Sequence, residues 1–377
     1  MPMPLDRLVR TLGTYAPLSL AEPWDKVGLL IAGDGREIST ALLTIDLTLE
    51  VLDEAKARGA QLVIAYHPLL FKPLERLDGA TWQGRVAIDA VRAGIAVYSP
   101  HTALDAVEGG VNDWLVDSLA GSSAPRRPIK PAASASPGFK LVVFAPIDAA
   151  ARLRDALAAA GAGVIGAASK YTHCSFAAAG QGTFHGGEGS SPAVGQPGRL
   201  ERVQELRLEM AVPANRLAAA VGALRATHPY EEPAFDIFRM EPEPAAARAG
   251  AGRIATLAEP MTSDEVARKL EQPLGVARMD IARASAEPRR HTTVAFCAGS
   301  GASLAESAAA QGATLFVTGE MSHHDVLHAR SLGLDLVLAG HTNTERGYLP
   351  HYRRALERLS AGVGFVVSSA DRDPLRA

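Results

Sequence analysis

Strand-length apolar runs alternate with helix-length segments in two separated parts of the chain. In the first part, the pattern predicts strands at 41–48, 61–66 and 95–99 and helices at 49–59 and 81–94. In the last part, it predicts strands at 292–299, 313–319, 335–340 and 363–369 and helices at 302–311, 322–331 and from about 345. Alternation of this kind is typical of α/β proteins, so the predicted fold class is α/β.

The middle of the chain has a different organisation. Segments 122–138 and 241–252 are rich in proline and alanine, which predicts linkers. Between them, the order β-α-β-β-α-β predicts a ferredoxin-like unit. We therefore predict that 1–125 and 250–377 are two halves of one α/β core, and that 139–240 is an inserted domain.

Composition excludes several classes of protein. The net charge is −3 and no basic stripe carries interleaved aromatic residues, so no nucleic-acid partner is expected. The two cysteines, Cys174 and Cys297, lack metal-binding spacing, which argues against a disulfide framework or a thiolate zinc site. No apolar run approaches the ~20 residues of a membrane helix, and the first residues lack a signal peptide's apolar core. A cytoplasmic protein is the expectation.

Side chains able to bind metals follow four of the predicted strands. They are His67, then His101 with Asp105, then Glu320 with His323, His324 and Asp325, and finally His341 with Glu345. Ligands of open α/β sheets bind at the carboxyl ends of the strands, so we expect these residues to share one edge. The pattern predicts a polar site at this edge.

Imidazoles and carboxylates without thiolates favour zinc, iron, manganese or cobalt. His101 and His341 are each followed four residues later by a carboxylate, Asp105 and Glu345. Glu345 can bridge two ions, and paired ions can activate water for attack on an ester, amide or phosphate. The alternative for the segment AGHTNTERG is a solvated helix start, with Thr342 or Asn343 as the cap.

Several motifs together resemble one known family. They are AEPWDKVGLL, YHPLLF, SPHTALDA, CAGSG, TGEMSHHD, GHTNTERG and SSADRDPL. In this order they resemble the NIF-three-like family of hexameric dinuclear-metal-centre proteins, some of which are described as GTP cyclohydrolase I type 2 homologues. The middle segments, GAGVIGAASKYTHCSFAAAGQGTF and HPYEEPAFDIF, resemble the PII-like insert of bacterial members.

The resemblance implies a ligand set and an assembly. Matched motif by motif, the implied metal ligands are His67, Asp105, His341 and Glu345. Tyr66 stands where the family has the first histidine of a pair, so one of the two metal positions lacks its usual imidazole. His101 is the candidate substitute, and we expect one or two divalent ions per chain. The family also implies a homo-oligomer, a hexamer.

Three functions are compatible with such a site. The first is a metal-dependent hydrolase of an unknown small-molecule substrate, with Glu320 or His324 moving protons. The second is a non-catalytic metal carrier or regulator whose insert senses a ligand, and the third is a protein-interaction role. The sequence favours the hydrolase and leaves its substrate open, since family membership identifies a site better than a substrate.

Other polar residues of the insert have plainer explanations available. His228, Glu231 and Glu232 in HPYEEP form either a metal or partner surface or a turn before a strand. His173 and Cys174 are predicted to lie within a strand, where packing is the default role.

Overall fold

The computed structural model describes residues 2–132, 138–165, 171–240 and 248–375. The chain divides into two compact units, the first formed by Met1–Ala132 with Ala246–Ala377 and the second by Ala133–Ala245. Parts of both predicted linkers, and residues 166–170 of the segment that resembles a PII-like insert, lie outside the described residues.

The helices and strands follow in chain order. The first segment contains α1 (Leu5–Tyr15), β1 (Gly28–Ile31), β2 (Thr40–Thr44), α2 (Leu49–Ala57), β3 (Leu62–Ala65), α3 (Trp82–Arg92), β4 (Ala96–Ser99), α4 (His101–Ala106), α5 (Val111–Ala120), β5 (Arg126–Arg127) and β6 (Lys130–Pro131). The middle segment contains β7 (Phe139–Pro146), α6 (Ala150–Ala159), β8 (Phe176–His185), β9 (Leu200–Val212), α7 (Leu217–Thr227) and β10 (Phe235–Arg239). The last segment contains β11 (Gly250–Ala251), β12 (Arg253–Thr262), α8 (Ser263–Leu274), β13 (Asp280–Ala282), β14 (Arg290–Ser300), α9 (Ala305–Ala310), β15 (Leu315–Glu320), α10 (His323–Ser331), β16 (Asp335–Leu338), α11 (Asn343–Arg346), α12 (Leu349–Leu359) and β17 (Gly364–Val367).

Two large sheets build the first unit. One has the order β1-β4-β3-β2-β17, with parallel pairing except between β1 and β4. The other has the order β13-β16-β15-β14-β12-β5, with β14, β15 and β16 parallel to one another. Because β17 pairs with β2 in parallel, the two ends of the chain contribute to one sheet. The prediction of an α/β fold is confirmed.

Alternating side chains of these sheets enter different hydrophobic cores, as the period of a strand requires. Along β2, Ala41 and Leu43 pack in the central core while Leu42 packs against α2 and α3. The central core also holds residues of the second sheet and of α1, α5, α8 and α12. Helices α9 and α10 cover the opposite face of the second sheet. The first unit is therefore layered, with helices between its two sheets and outside each of them.

The predicted linkers contain ordered structure that belongs to the first unit. Strand β5 pairs with β12, β6 pairs with β11, and Ile129 between them is 2% exposed. The Ala132 amide donates to the Ala249 carbonyl at 3.0 Å, so the two crossing points lie side by side. The proline and alanine content of these segments predicted linkers. The conformation of β5, β6 and β11 is instead determined by their pairing with strands distant in the chain.

The second unit has a core of its own. Its sheet has the order β10-β7-β9-β8, antiparallel throughout. Leu141 and Val143 of β7 pack with residues of both helices, so α6 and α7 cover one face of the sheet. The element order is β-α-β-β-α-β. His173 and Cys174 precede β8 rather than lying within it, and His173 adopts a left-handed φ of 60°.

Excision of the second unit should leave the first one folded. A chain in which Ala132 is joined to Ala249 by a short glycine linker is expected to keep its cooperative thermal unfolding and its metal content, because each unit has a separate core. Far-UV circular dichroism and elemental analysis measure both. A shortened chain that aggregates without metal would contradict the prediction. The junction must retain Ile129, which a cut after 125 would discard.

Within the described residues, no helix combines the length and apolar character that crossing a bilayer requires.

Candidate metal centre

Two histidines from different sheets face one buried glutamate. His67 follows β3 of the first sheet, His341 follows β16 of the second, and Glu345 lies on α11 with 3% exposure. The His67 Nε2 atom lies 3.3 Å from Glu345 Oε2, and the His341 Nε2 atom lies 3.6 Å from Glu345 Oε1. Candidate ligand atoms of all three residues lie within 4.8 Å of one another. With this burial, Glu345 does not belong to a solvated helix start.

These distances match a shared divalent ion. Donor atoms about 2.1 Å from one tetrahedral ion lie about 3.4 Å apart. Among the described residues, His67 Nε2 and Glu345 Oε2 are buried atoms without a hydrogen bond of good geometry, and they face each other at 3.3 Å as a charge pair. Buried polar atoms of this kind are costly unless something pairs with them. Because each Glu345 oxygen faces a different histidine, the carboxylate can chelate one ion or bridge two.

A carboxylate holds the Nδ1 atom of each histidine near this group. His67 Nδ1 lies 2.9 Å from Asp46 Oδ1, and His341 Nδ1 lies 2.9 Å from Glu320 Oε1. Metal-binding histidines usually have such a partner, which fixes the ring and leaves Nε2 as the ligand atom. The arrangement of His67 and His341 is therefore that of metal ligands with their outer partners in place.

His101 has the same kind of support but lies outside the group of three. Its Nδ1 atom lies 2.7 Å from Asp25 Oδ1, and Asp25 Oδ2 accepts the Thr102 amide at 3.1 Å. These bonds hold His101 at a φ of 29°, which non-glycine residues seldom adopt. The centroid of its ring lies 5.4 Å from that of His67. His101 therefore lines the same site from the side of the first sheet.

Two glycines give the ligands the space they occupy. A Cβ on Gly299 would lie 2.8 Å from Glu345 Oε1 and 3.0 Å from His341 Nε2. A Cβ on Gly319 would lie 2.8 Å from the Cα of His341. Gly299 also has a left-handed φ of 63°. The backbone of the CAGSG and TGE segments therefore passes so close to His341 and Glu345 that these two positions have no room for a side chain.

Tyr66 occupies the position where the resemblance implies a histidine. Its ring is 2% exposed in the central core, and its hydroxyl donates a short hydrogen bond to Asp105 Oδ1. One oxygen of Asp105 is thereby engaged by the phenol. The resemblance implies His67, Asp105, His341 and Glu345 as ligands, and three of them, His67, His341 and Glu345, form one group in the structure.

Burial and neighbouring charges shift the pKa values of three side chains at this site, His67, Asp105 and Tyr66. Burial alone would lower the pKa of His67, but the Glu345 and Asp46 carboxylates outweigh it and raise the pKa to about 10. Burial raises the pKa of Asp105 to about 6, against the opposing effect of His101. Burial and the Asp105 charge raise the pKa of Tyr66 well above its usual value, so the phenol is neutral at pH 7.

Of the two residues predicted to move protons, only Glu320 has a contact with a residue of the metal group. Glu320 is exposed and holds His341, which is an orienting contact. His324 is exposed on α10, and its ring contacts that of His323 at 5.5 Å between centroids. Asp325 closes a capping box with Ser322 at the start of α10.

Sequence reasoning did not select several residues that shape the site. Asp25 and Asp46 hold histidines that lie more than twenty residues away in the chain. Trp24 and Phe71 are half exposed, and each places its ring about 6.2 Å from the His101 ring. The motif segment AEPWD, which contains both Trp24 and Asp25, was the available signal.

The HPYEEP segment of the second unit is a turn with internal bonds. His228 is buried; its Nε2 donates to the Phe144 carbonyl at 3.0 Å and its Nδ1 accepts the Tyr230 amide at 3.1 Å. The Glu231 carboxylate accepts the Ser191 amide at 3.3 Å. These contacts correspond to the turn interpretation.

The fold and site define an α/β protein with a histidine–carboxylate group able to hold a divalent ion. A family model described as Duf34/NIF3 (NGG1p interacting factor 3) matches residues 3–374, and the chain belongs to that family. The resemblance seen in the motifs is therefore confirmed.

Known relatives and structures resemble the chain along its whole length. A Halalkalibacterium halodurans protein named GTP cyclohydrolase 1 type 2 homolog is 34% identical over 371 residues, covering 97% of each chain. The rat protein named NIF3-like protein 1 is 33% identical over 381 residues, covering 99% of this chain and 93% of the relative. The crystal structure of a Bacillus cereus protein related to NIF3 has a TM-score of 0.67 at 32% identity and covers 99% of both chains. A Staphylococcus aureus protein has a TM-score of 0.77 at 26% identity, covering 100% of this chain and 99% of its own.

Metal uptake should release a proton and strengthen with pH. Because the pKa of His67 is about 10, its imidazole carries a proton at pH 7 that an ion must displace. The apparent affinity is expected to rise about tenfold per pH unit between pH 7 and 9. Calorimetric titration with zinc in buffers of different ionisation enthalpy measures the protons released. An affinity that stays constant across this interval would show that His67 is already neutral.

Proposed function

We propose that this protein is a divalent-metal-dependent hydrolase of a small-molecule ester, phosphate or ring amide. The observation that supports the proposal best is the joint arrangement of His67 and His341. Each is held at Nδ1 by a carboxylate, and the Nε2 atoms face opposite oxygens of Glu345. The donor set fits zinc, iron, manganese or cobalt, which prefer imidazole and carboxylate ligands.

His67, His341 and Glu345 would hold the ion, and His101 with Asp105 lines the adjacent position. A bound divalent ion supplies Lewis acidity and lowers the pKa of coordinated water. Asp46 and Glu320 keep the histidine rings oriented, which preserves the ligand geometry without reorganisation. Glu320 is exposed beside His341, so its carboxylate is placed to accept a proton from water or substrate at the outer side of the site.

Names of relatives suggest which substrates to test first. Several are named GTP cyclohydrolase 1 type 2 homolog, so GTP belongs in the panel together with phosphate mono- and diesters. Protein loaded with each of the four metals is expected to hydrolyse at least one compound. Glu320→Gln should lower kcat by about 10²-fold, since it keeps the hydrogen bond to His341 but cannot take up a proton.

Controls separate the hydrolase from the alternative of a metal carrier. Turnover must disappear in Glu345→Ala and persist in Glu306→Gln. Glu306 is an exposed glutamate that contacts His328 at 3.0 Å and no residue of the metal group. Tightly bound metal without turnover across the whole panel would reject the hydrolase in favour of a carrier or regulator.

A further inference from the structure

A cavity in the first unit is lined by none of the residues of the metal centre. Its volume is about 260 Å³, which is the liquid volume of roughly nine water molecules. The walls come from the end of α1, from α5 and from α12. A space of this size accommodates one ring with a small substituent.

Aromatic rings form one wall of the cavity. Trp114 and Tyr348 are 7% and 1% exposed, and His351 stacks on Tyr348 with an interplanar angle of 3°. The ring centroids of Trp114 and His351 are 6.2 Å apart. The Tyr348 hydroxyl is satisfied by the Tyr15 hydroxyl at 2.7 Å and the Gly109 carbonyl at 2.9 Å. Tyr348 and Trp114 are buried behind this wall, so the ring that a ligand can reach is that of His351, which is exposed.

The two acidic side chains at the cavity are already neutralised. Asp113 accepts two hydrogen bonds from the buried Arg253, at 2.9 and 3.0 Å, and one from the Gly109 amide. Asp117 pairs with Arg126 at 2.6 Å. Neither carboxylate therefore has its charge available to attract a cation.

The basic side chains at the cavity are not neutralised in this way. Arg354 and Arg358 lie one turn apart on α12, and within the described part of the chain neither forms an ion pair. Arg354 Nη2 lies 3.0 Å from His351 Nδ1. Burial, and to a smaller extent the Arg354 charge, lowers the pKa of His351, so this contact is to a neutral ring. Two guanidinium groups beside an aromatic wall leave a local excess of positive charge.

We propose that this cavity binds a small aromatic anion, a single ring that carries a phosphate, phosphonate or carboxylate group. The ring of the ligand packs against His351, and Arg354 and Arg358 pair with the anion. Guanidinium groups suit planar and tetrahedral oxyanions because they donate two parallel hydrogen bonds. The site is separate from the metal centre, so the proposal does not depend on hydrolysis.

Phenylphosphonate and methylphosphonate test the proposal, because they share one anion and differ by the ring. Calorimetric titration of the metal-loaded protein is expected to show saturable binding of phenylphosphonate, about tenfold tighter than that of methylphosphonate. The double variant Arg354→Gln with Arg358→Gln should weaken phenylphosphonate binding about tenfold or more. His351→Ala should reduce the preference for the aromatic ligand.

Arg353→Gln is the matched control, since Arg353 lies on the same helix and pairs with Glu357 at 3.6 Å. It should leave phenylphosphonate affinity unchanged within about twofold. Binding should also persist in Glu345→Ala, which removes the metal centre as a competing anion site. Equal affinities for the two phosphonates, or a double variant that binds like the control, would overturn the proposal. A change of molar mass by light scattering in the double variant would also overturn it, by showing that copies of the chain cover this surface.

Discussion

Glu345→Ala is expected to abolish tight metal binding. Glu345 faces both His67 and His341, through different oxygens at 3.3 and 3.6 Å. Its loss leaves two imidazoles without the carboxylate between them, so an ion in either position loses a ligand. Loss of an outer-shell partner alone costs about 10–100-fold in metal affinity, and loss of this inner ligand should cost more.

Elemental analysis after dialysis measures the effect directly. The control is Glu306→Ala, which removes a glutamate that also contacts a histidine, His328, but on the exposed surface. Glu345→Gln keeps the side-chain volume and removes the charge, so it should also lose metal while keeping the packing of α11. Circular dichroism must show that each variant is folded. Retention of a full complement of metal by folded Glu345→Ala would refute the assignment of the metal centre.

Tyr66→His is expected to raise the metal content from about one tight ion per chain towards two. In the native chain the Tyr66 hydroxyl donates to Asp105, and burial with the Asp105 charge keeps the phenol protonated. The Asp105 carboxylate therefore accepts a hydrogen bond from Tyr66. An imidazole at position 66 would supply a neutral ligand and release Asp105 for the second position, with Glu345 able to bridge the two.

Tyr66→Phe distinguishes a new ligand from a lost hydrogen bond. It keeps the ring in the central core and removes the hydroxyl, so the tight metal content should stay near one ion per chain. His101→Ala tests whether His101 already fills the second position in the native protein. A native chain that retains two ions after dialysis, and still retains both in His101→Ala, would contradict the role given to Tyr66.

The local pattern predicted most of the elements that carry the site. Strands β3, β4, β15 and β16 lie within two residues of their predicted bounds, because buried parallel strands are continuous apolar runs. Strand β12 and helix α8 were not assigned. Pro260 and Pro273 interrupt their patterns, and the structure accommodates Pro260 where the pairing of β12 with β14 shifts register between Thr256 and Met261.

The sequence by itself determined which side chains stand at the carboxyl ends of strands, since a strand's end and the residue after it are local properties. It placed His67, His101, His341 and Glu345 on that basis. It predicted one shared edge, whereas the tertiary structure brings together the edges of two sheets, with the rings of His67 and His341 5.3 Å apart. Only that packing brings His67 and His341 together at Glu345. The same packing places Asp25 and Asp46, from distant loops, against the histidines and places Asp105 against the Tyr66 hydroxyl. The sequence does not predict these contacts, because contacts between distant segments depend on how the layers pack and leave no periodic signal in the chain.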